Sequence, residues 1–225
     1  GLEPGEFHAA MMVSPSVPGH ASVGNAGKIG LAFRIRRQDV TIRWRNTEKS
    51  WGAAARAFHW LVAVLILVQF VIGNVAEGMS LSPAKIDTFV WHKSLGVTVL
   101  FIVILRLAWR LLDTPPTPPE GIPEKETKLA AIGHWLLYLL MFAVPLSGWW
   151  VSDASRVPFE AFFVVPVPDL IATDRASQET AATVHEILTN ALLAVAADHI
   201  AAALWHHFYL RNEVLRRMLS AGRQR

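Results

Sequence analysis

The sequence has no cysteine and little charge. Charged residues make up 17% of its 225 positions, compared with about 25% in a typical soluble domain. The absence of cysteine excludes disulfides, thiolate metal sites, iron–sulfur clusters and covalently attached c-type haem. The shortage of charge, together with a hydrophobic share of 52%, leaves too little polar surface for a fold surrounded by water. The composition therefore indicates a membrane protein.

Four apolar segments are long enough to cross a bilayer, which takes roughly 20 helical residues. The predicted spans cover about residues 53–75, 89–112, 129–151 and 180–209. A proline-rich loop, DTPPTPPEGIPEKET, separates the second span from the third because it cannot continue a helix. The segment RVPFEAFFVVPVPDL is apolar but short and broken by prolines, so we predict an interfacial or re-entrant piece. The predicted fold is an all-α four-helix transmembrane bundle.

The basic residues predict the orientation of this bundle. Seventeen lysines and arginines lie on the side that carries both termini, and four lie on the other side. Because cytoplasmic loops are enriched in these residues, both termini should face the cytoplasm. We divide the chain into a basic tail without fixed structure (residues 1–50), a four-span domain (51–220) and a short C-terminal tail (221–225). The basic residues border the spans instead of forming one patch, so nucleic acid is not an expected partner.

Seven of the nine histidines lie in the predicted spans, and four of these form two groups at two depths. His185 and His199 are fourteen residues apart on the fourth span, which separates them by about 21 Å and leaves them within roughly 40° of one face. By depth, His59 in the first span matches His199 on the cytoplasmic side. His92 in the second span matches His185 on the outer side. Two histidine pairs at matched depths between four helices are typical of two six-coordinate haems.

Two other interpretations of these residues remain. A single histidine near the end of a span is commonly interfacial, and a haem-free metal or proton transporter would also use intramembrane histidines. A zinc or transport site favours ligands that converge at one depth with carboxylates, whereas these four histidines are divided between two depths. Asp198 also lies inside a span, where a carboxylate is costly. We expect Asp198 to pair with Arg56 or a bound water, or to be protonated.

The chain resembles the bacterial cytochrome b(561) family in the segments RAFHWL, WHKSLGVTVLFIVILRLAWRL, IGHWLLYLLMFAVPLSGW, VHEILTN and HIAAALWHHFYLRNEVLRRML. The resemblance covers about residues 50–220. Members of this family are four-span, di-haem, quinone-linked cytochromes, and some are superoxide oxidases. The resemblance implies that His59 and His199 bind the iron of one haem b on the cytoplasmic side. It implies that His92 and His185 bind the iron of a second haem b on the outer side.

The same resemblance implies a quinone site on the cytoplasmic side. Family members use the position of His206 beside the quinone headgroup, where a neutral imidazole can exchange a hydrogen bond and a proton. An interfacial role for His206 is the alternative. His134 and Arg56 are candidates to bind the quinone or a haem propionate. Superoxide-oxidising relatives place a hydroxyl residue two positions before the first ligand, where this chain has Ala57, which leaves the detailed quinone site open.

The resemblance implies an integral-membrane cytochrome of the bacterial inner membrane with two haem b groups and ubiquinone as cofactors. It would transfer electrons between an outer-side donor and the ubiquinone pool. Superoxide is one candidate donor, which would make the protein a superoxide:ubiquinone oxidoreductase, although acidic residues outnumber basic ones on the outer side. The alternative is an anchor or relay subunit of a partner dehydrogenase or reductase. Membrane lipid, quinone and either superoxide or a redox protein are therefore the expected partners.

Overall fold

Four long helices, each apolar enough to cross a membrane, dominate the computed structural model, which describes residues 43–155, 160–167 and 175–219. This confirms the predicted four-span bundle. The tail at residues 1–42 and the C-terminal tail at 221–225 lie outside the described residues. The elements, in chain order, are α1 (Ala53–Gly78), α2 (Pro83–Leu112), α3 (Glu124–Ser155), β1 (Glu160–Ala161), β2 (Val165–Pro166), α4 (Arg175–Phe208) and α5 (Val214–Leu219).

Three of the long helices begin five or six residues before the apolar segment that predicts them. Their first six residues include charged side chains that interrupt the apolar pattern, so hydrophobicity alone does not show where these helices begin. At the start of α2, the Lys85 backbone N–H donates to the Ser82 hydroxyl oxygen at 3.3 Å, and Pro83 occupies the first helical position. A serine cap followed by proline is a common helix start, because proline lacks the N–H that would have no partner there.

The bundle consists of two helix pairs. The closest packing joins α1 to α2 and α3 to α4, and α2 also packs on α3. Apolar side chains such as Val62, Val103 and Met141 form the buried core between the pairs. Large apolar side chains such as Leu67 and Leu139 are exposed on the outward faces, as expected of helices that face lipid, where outward apolar groups carry no penalty.

We call the end of the bundle at which α1 begins and α4 ends the terminal end. There, hydrogen bonds join the segment before α1 to the loop after α2. The Asn46 backbone N–H donates to the Asp113 carboxylate at 2.9 Å, and the Gly52 N–H donates to the Asn46 side-chain oxygen at 2.8 Å. The Arg217 guanidinium of α5 donates to the Thr117 carbonyl at 2.8 Å. The division of the chain at residue 50 stays a prediction, but the residues just before it pack on the bundle.

The opposite end, which we call the hairpin end, carries the β1–β2 hairpin. This hairpin is the described part of the segment predicted to be interfacial or re-entrant, and it lies along α2. The ring centres of Trp91 and Phe163 are 4.6 Å apart, and those of Phe101 and Phe162 are 5.6 Å apart. The fully buried Ser94 hydroxyl donates to the Glu160 carbonyl. Non-helical backbone beside a membrane-spanning helix needs such partners, because hydrocarbon supplies none.

Replacement of Ser94 by alanine should weaken this contact. Without the hydroxyl, the Glu160 carbonyl loses its donor, and loss of a typical hydrogen bond costs about 0.5–1.5 kcal/mol. We expect the free energy of unfolding in detergent to fall by that amount, as measured by thermal or denaturant unfolding. Ser80→Ala, at an exposed position between α1 and α2, is the matched control. Equal stability of the two variants would contradict a structural role for Ser94.

Candidate functional site

The four histidines that the sequence assigns to two depths form two pairs at opposite ends of the bundle. The ring centres of His59 on α1 and His199 on α4 are 6.2 Å apart, at the terminal end. Those of His92 on α2 and His185 on α4 are 6.3 Å apart, at the hairpin end. Two imidazoles bonded at about 2.0 Å to opposite sides of one metal ion have ring centres roughly 6 Å apart. Each pair therefore has room for one metal ion between its rings.

A cavity of about 520 Å³ adjoins the pair at the hairpin end. Its volume lies within the usual range for bound cofactors, roughly 300–1,000 Å³. Apolar side chains such as Ile66, Phe70 and Val144 form much of its wall. A large apolar cavity with a histidine on each of two facing helices can hold a flat, mainly apolar group whose metal the imidazoles bind.

Several buried polar atoms in the wall of this cavity have no hydrogen-bond partner within the described residues. They are His92 Nδ1, Gln69 Oε1, Trp149 Nε1 and Thr189 Oγ1. Buried polar atoms in folded proteins nearly always have partners, so these atoms indicate a bound polar group or water. The donor–acceptor mixture fits a cofactor that is apolar in its body and polar at its edge.

The His185 ring is held in one orientation by α3. Its Nδ1 donates to the Val144 carbonyl at 3.1 Å, and the Ser147 hydroxyl lies 3.0 Å from the same nitrogen. A neutral imidazole carries one proton, so a proton on Nδ1 leaves Nε2 unprotonated and able to bind a metal. On α1, the Gln69 side-chain amide donates to the His92 carbonyl at 2.9 Å.

Two glycines let the hairpin-end imidazoles approach neighbouring helices. A Cβ atom at Gly73 would lie 3.0 Å from His92 Cε1, and one at Gly148 would lie 3.1 Å from His185 Cε1. A β-carbon at either position would therefore press against the ring. Sequence spacing does not indicate that these glycines, or Gln69 and Ser147, lie beside the histidines, because nothing in the sequence shows which helix faces each histidine.

The terminal-end pair has a third imidazole and a guanidinium beside it. The ring centres of His134 on α3 and His199 are 5.4 Å apart, closer than those of His59 and His199. The Arg106 Nη2 donates to His59 Nδ1 at 3.0 Å. A guanidinium can only donate, so His59 Nδ1 accepts and the ring proton lies on Nε2. His59 can bind a metal through Nε2 only when Arg106 releases Nδ1.

In the sequence, Arg106 and Arg110 indicate only the orientation of the bundle. In the structure, both guanidinium groups lie near the ring of Tyr138 on α3, with their central carbons 5.5 and 5.8 Å from its centre. Tyr138 is only 5% exposed. The signal that could have found them is the placement of two arginines within the apolar run LFIVILRLAWRLL, since intramembrane charges usually mark function.

The other predicted site residues lie at the terminal end. His206 Nδ1 accepts from the Asn212 side-chain amide at 2.7 Å, and its Nε2 lies 3.8 Å from the Glu126 carboxylate. The Nε of Arg56 is buried and has no partner within the residues that the structure covers. Asp198 is exposed, and no ion pair joins it to Arg56 in the described ranges.

The close contact at Gly148 predicts that alanine there and alanine at Gly133, on the same helix, have opposite effects on stability. Alanine normally stabilises a helix interior by about 0.5–1 kcal/mol relative to glycine. We expect Gly148→Ala to lower the free energy of unfolding by about 1–3 kcal/mol, because the new methyl group overpacks against His185. Gly133→Ala, on the same helix with no atom within 4 Å of its Cβ position, should be neutral or stabilising. On α1, Gly73→Ala should likewise be destabilising, and Gly78→Ala, with no atom within 4 Å of its Cβ position, is its control.

Unfolding measurements on the four variants in detergent check this prediction. If Gly148→Ala and Gly133→Ala have the same stability, the close approach of the ring to the glycine backbone does not constrain the site.

Known proteins resemble this chain over the same bundle. Residues 50–221 match the family described as prokaryotic cytochrome b561. Cytochrome b561 homolog 2 of Escherichia coli (strain K12) is 30% identical over 180 residues, which cover 77% of this chain and 93% of that protein. The probable superoxide oxidase CybB of Yersinia pestis is 28% identical over 179 residues, covering 78% and 98%. Cytochrome b562 of Cereibacter sphaeroides is 27% identical over 171 residues, covering 72% and 89%.

The family implies b-type haem, and the cavity beside His92 and His185 fits such a group in volume, in apolar lining and in polar edge. The match extends across all four long helices and both histidine pairs. The chain therefore belongs to the prokaryotic cytochrome b561 family and is a multi-pass b-type cytochrome of electron transfer in a bacterial membrane.

Proposed function

We propose that this cytochrome binds two haem b groups and transfers electrons from an outer-side donor to the ubiquinone pool of the inner membrane. One haem would lie between His59 and His199, and the other between His92 and His185. The observation that carries this proposal is the two imidazole pairs, with ring separations of 6.2 and 6.3 Å at opposite ends of the bundle. Two haem groups held by such pairs could pass electrons from one end of the bundle to the other.

The bound haem groups would supply the one-electron chemistry, while the protein controls their spacing, orientation and surroundings. Fourteen residues on α4 separate His185 from His199, which corresponds to about 21 Å along the helix. The Val144 carbonyl fixes the proton on His185 Nδ1. At the terminal end, a guanidinium that releases His59 is suited to bind a haem propionate, since arginine pairs well with carboxylates. Arg106 is thus a second candidate for that role beside Arg56.

The terminal end would face the cytoplasm. Seventeen of the 21 lysines and arginines lie on that side of the predicted spans, and positive charge near span ends favours the cytoplasmic side. The hairpin end, with the His92–His185 pair, would then face outward. Electrons that enter at the hairpin end would leave at the terminal end, where the quinone would be bound.

His206 is the proposed partner of the quinone headgroup. It lies seven residues beyond His199 on α4, about 10 Å closer to the end of the helix. Its contacts with Asn212 and Glu126 connect the imidazole to a carboxylate that is 45% exposed. Ubiquinone takes up protons when it is reduced, and a histidine beside a partly exposed carboxylate can deliver them.

Superoxide is the donor that we propose first, because one relative is named a probable superoxide oxidase. Exposed carboxylates at the hairpin end favour a second candidate, the relay subunit that receives electrons from a partner protein. Glu77 and Glu186 line the cavity beside His92 and His185. These charges would repel an anion such as superoxide, whereas a redox protein with a basic surface would be attracted.

The proposal predicts the haem content of single-histidine variants. Detergent-purified wild type should contain two haem b groups per chain by reduced-minus-oxidised spectra. His92→Ala and His199→Ala should each fall to one, because a bis-histidine site loses its haem with one of its ligands. His134→Ala is the matched control and should retain two. One haem in wild type, or loss of a haem in His134→Ala but not in His199→Ala, would contradict the proposed pairs.

Adjacent histidines allow a matched test of the quinone site. After superoxide reduces the haem groups in a stopped-flow experiment, added ubiquinone should reoxidise them. His206→Ala should slow reoxidation by about 100-fold or more, the usual contribution of a general acid or base. His207→Ala should reoxidise at the wild-type rate, and both variants should retain two haem groups. Equal rates for the two variants would exclude His206 as the headgroup partner, and absence of reduction by superoxide would favour the relay function.

A further inference from the structure

Two positive charges lie beside the histidines of the terminal end. The Arg106 guanidinium is 3.0 Å from His59 Nδ1. Arg110 follows one helical turn later on α2, and both guanidinium groups lie near the ring of Tyr138. Arginine keeps its charge in proteins because its pKa is far above physiological pH. The terminal-end pair therefore has permanent positive charge close to it.

No carboxylate neutralises these charges in the part of the chain that the structure describes. Neither Arg106 nor Arg110 forms an ion pair within residues 43–155, 160–167 and 175–219. The nearest carboxylate in sequence to the histidine pair, that of Asp198, is exposed on α4. The positive charge at this end is held by an aromatic ring and an imidazole instead of by an anion of the protein.

The hairpin-end pair has surroundings of the opposite sign. Three charged residues line the cavity beside it, and two of them, Glu77 and Glu186, are acidic. The third is Lys93. The two histidine pairs of one bundle thus differ in their local charge, with arginines at one end and an excess of carboxylates at the other.

A haem gains one negative charge when its iron is reduced. Positive charge nearby stabilises the reduced form, and negative charge destabilises it, more strongly in a poorly solvated interior than in water. We propose that Arg106 and Arg110 raise the reduction potential of the haem at the terminal end above that of the haem at the hairpin end. This inference rests on the proposed function. One electron would then pass from the reduced hairpin-end haem to the oxidised terminal-end haem in the favourable direction.

Tyr138 acts as a positioning residue for the two arginines. Two guanidinium groups one helical turn apart repel each other, and the negative face of an aromatic ring attracts both. Because Tyr138 is buried in the core between α2 and α3, its ring cannot move away. When Arg106 releases His59, its contact with Tyr138 would keep the guanidinium charge beside the haem that His59 binds.

Potentiometric titration of the haem spectra tests the proposal. In Arg106→Gln, the equilibrium constant for one-electron reduction of the terminal-end haem should fall about tenfold, which corresponds to about 59 mV, while the hairpin-end haem is unchanged. The same substitution in a His185→Ala protein, which should keep only the terminal-end haem, shows that the shifted potential belongs to that haem. Arg106→Lys should retain most of the wild-type potential. Lys128→Gln removes a charge at the same end from a side chain that is 70% exposed and should shift neither haem.

Two further variants keep the test decisive. If Arg106→Gln loses the terminal-end haem, Arg110→Gln should show the same downward shift with the haem retained. Tyr138→Leu should lower the same potential, and Tyr138→Phe, which keeps the ring, should lower it less. Unchanged potentials in Arg110→Gln and in any haem-retaining Arg106→Gln protein, or a shift confined to the hairpin-end haem, would overturn the proposal. Absence of two haem groups in wild type would instead overturn the proposed function.

Discussion

The interval between His185 and His199 on α4 is the constraint on which both sites depend. One helix contributes a histidine to each pair, while α1 supplies the partner at one end and α2 the partner at the other. Because a helix fixes both the distance and the angle between its residues, α4 sets the separation of the two histidines that it contributes to the two sites. The packing of α3 on α4, and the orientation of His185 by the Val144 carbonyl, maintain that geometry.

The residues that surround the two histidine pairs differ between the two ends of the bundle. At the hairpin end, glycines on α1 and α3 bring helix backbone against the rings, and the residues that line a large cavity include Gln69, Trp149 and Thr189, each with a buried polar atom. At the terminal end, a third imidazole and Arg106 lie against the pair, and Arg110 lies beside Tyr138 one turn further along α2. Sites that differ in this way are expected to differ in the chemical properties of the same bound group, since burial, hydrogen bonding and charge tune a haem.

The sequence was sufficient to predict the four spans and to sort the four histidines by depth, because both depend on local hydrophobicity and on helical rise. It could not show which helices face each other. The contact between Arg106 and His59, for example, joins α1 to α2, and the ring of Tyr138 comes from α3. Arg56, one turn from His59 in sequence, was the nearer candidate by sequence spacing. The first turns of α2, α3 and α4 lie outside the apolar runs, so hydrophobicity did not indicate them. The hairpin segment is apolar, but its two-residue strands are too short to produce a strand pattern in the sequence.

The hydrogen bonds of the loop after α2 have a topological consequence. The backbone N–H and the hydroxyl of Thr117 both donate to the Glu48 carbonyl, and the Thr117 carbonyl accepts from Arg217. One residue thus joins the segment that enters the four-helix domain to the short helix that leaves it. The entry and exit of the domain are therefore neighbours, as circular permutation requires, and a soluble module fused to either one would emerge at the same place on the membrane surface.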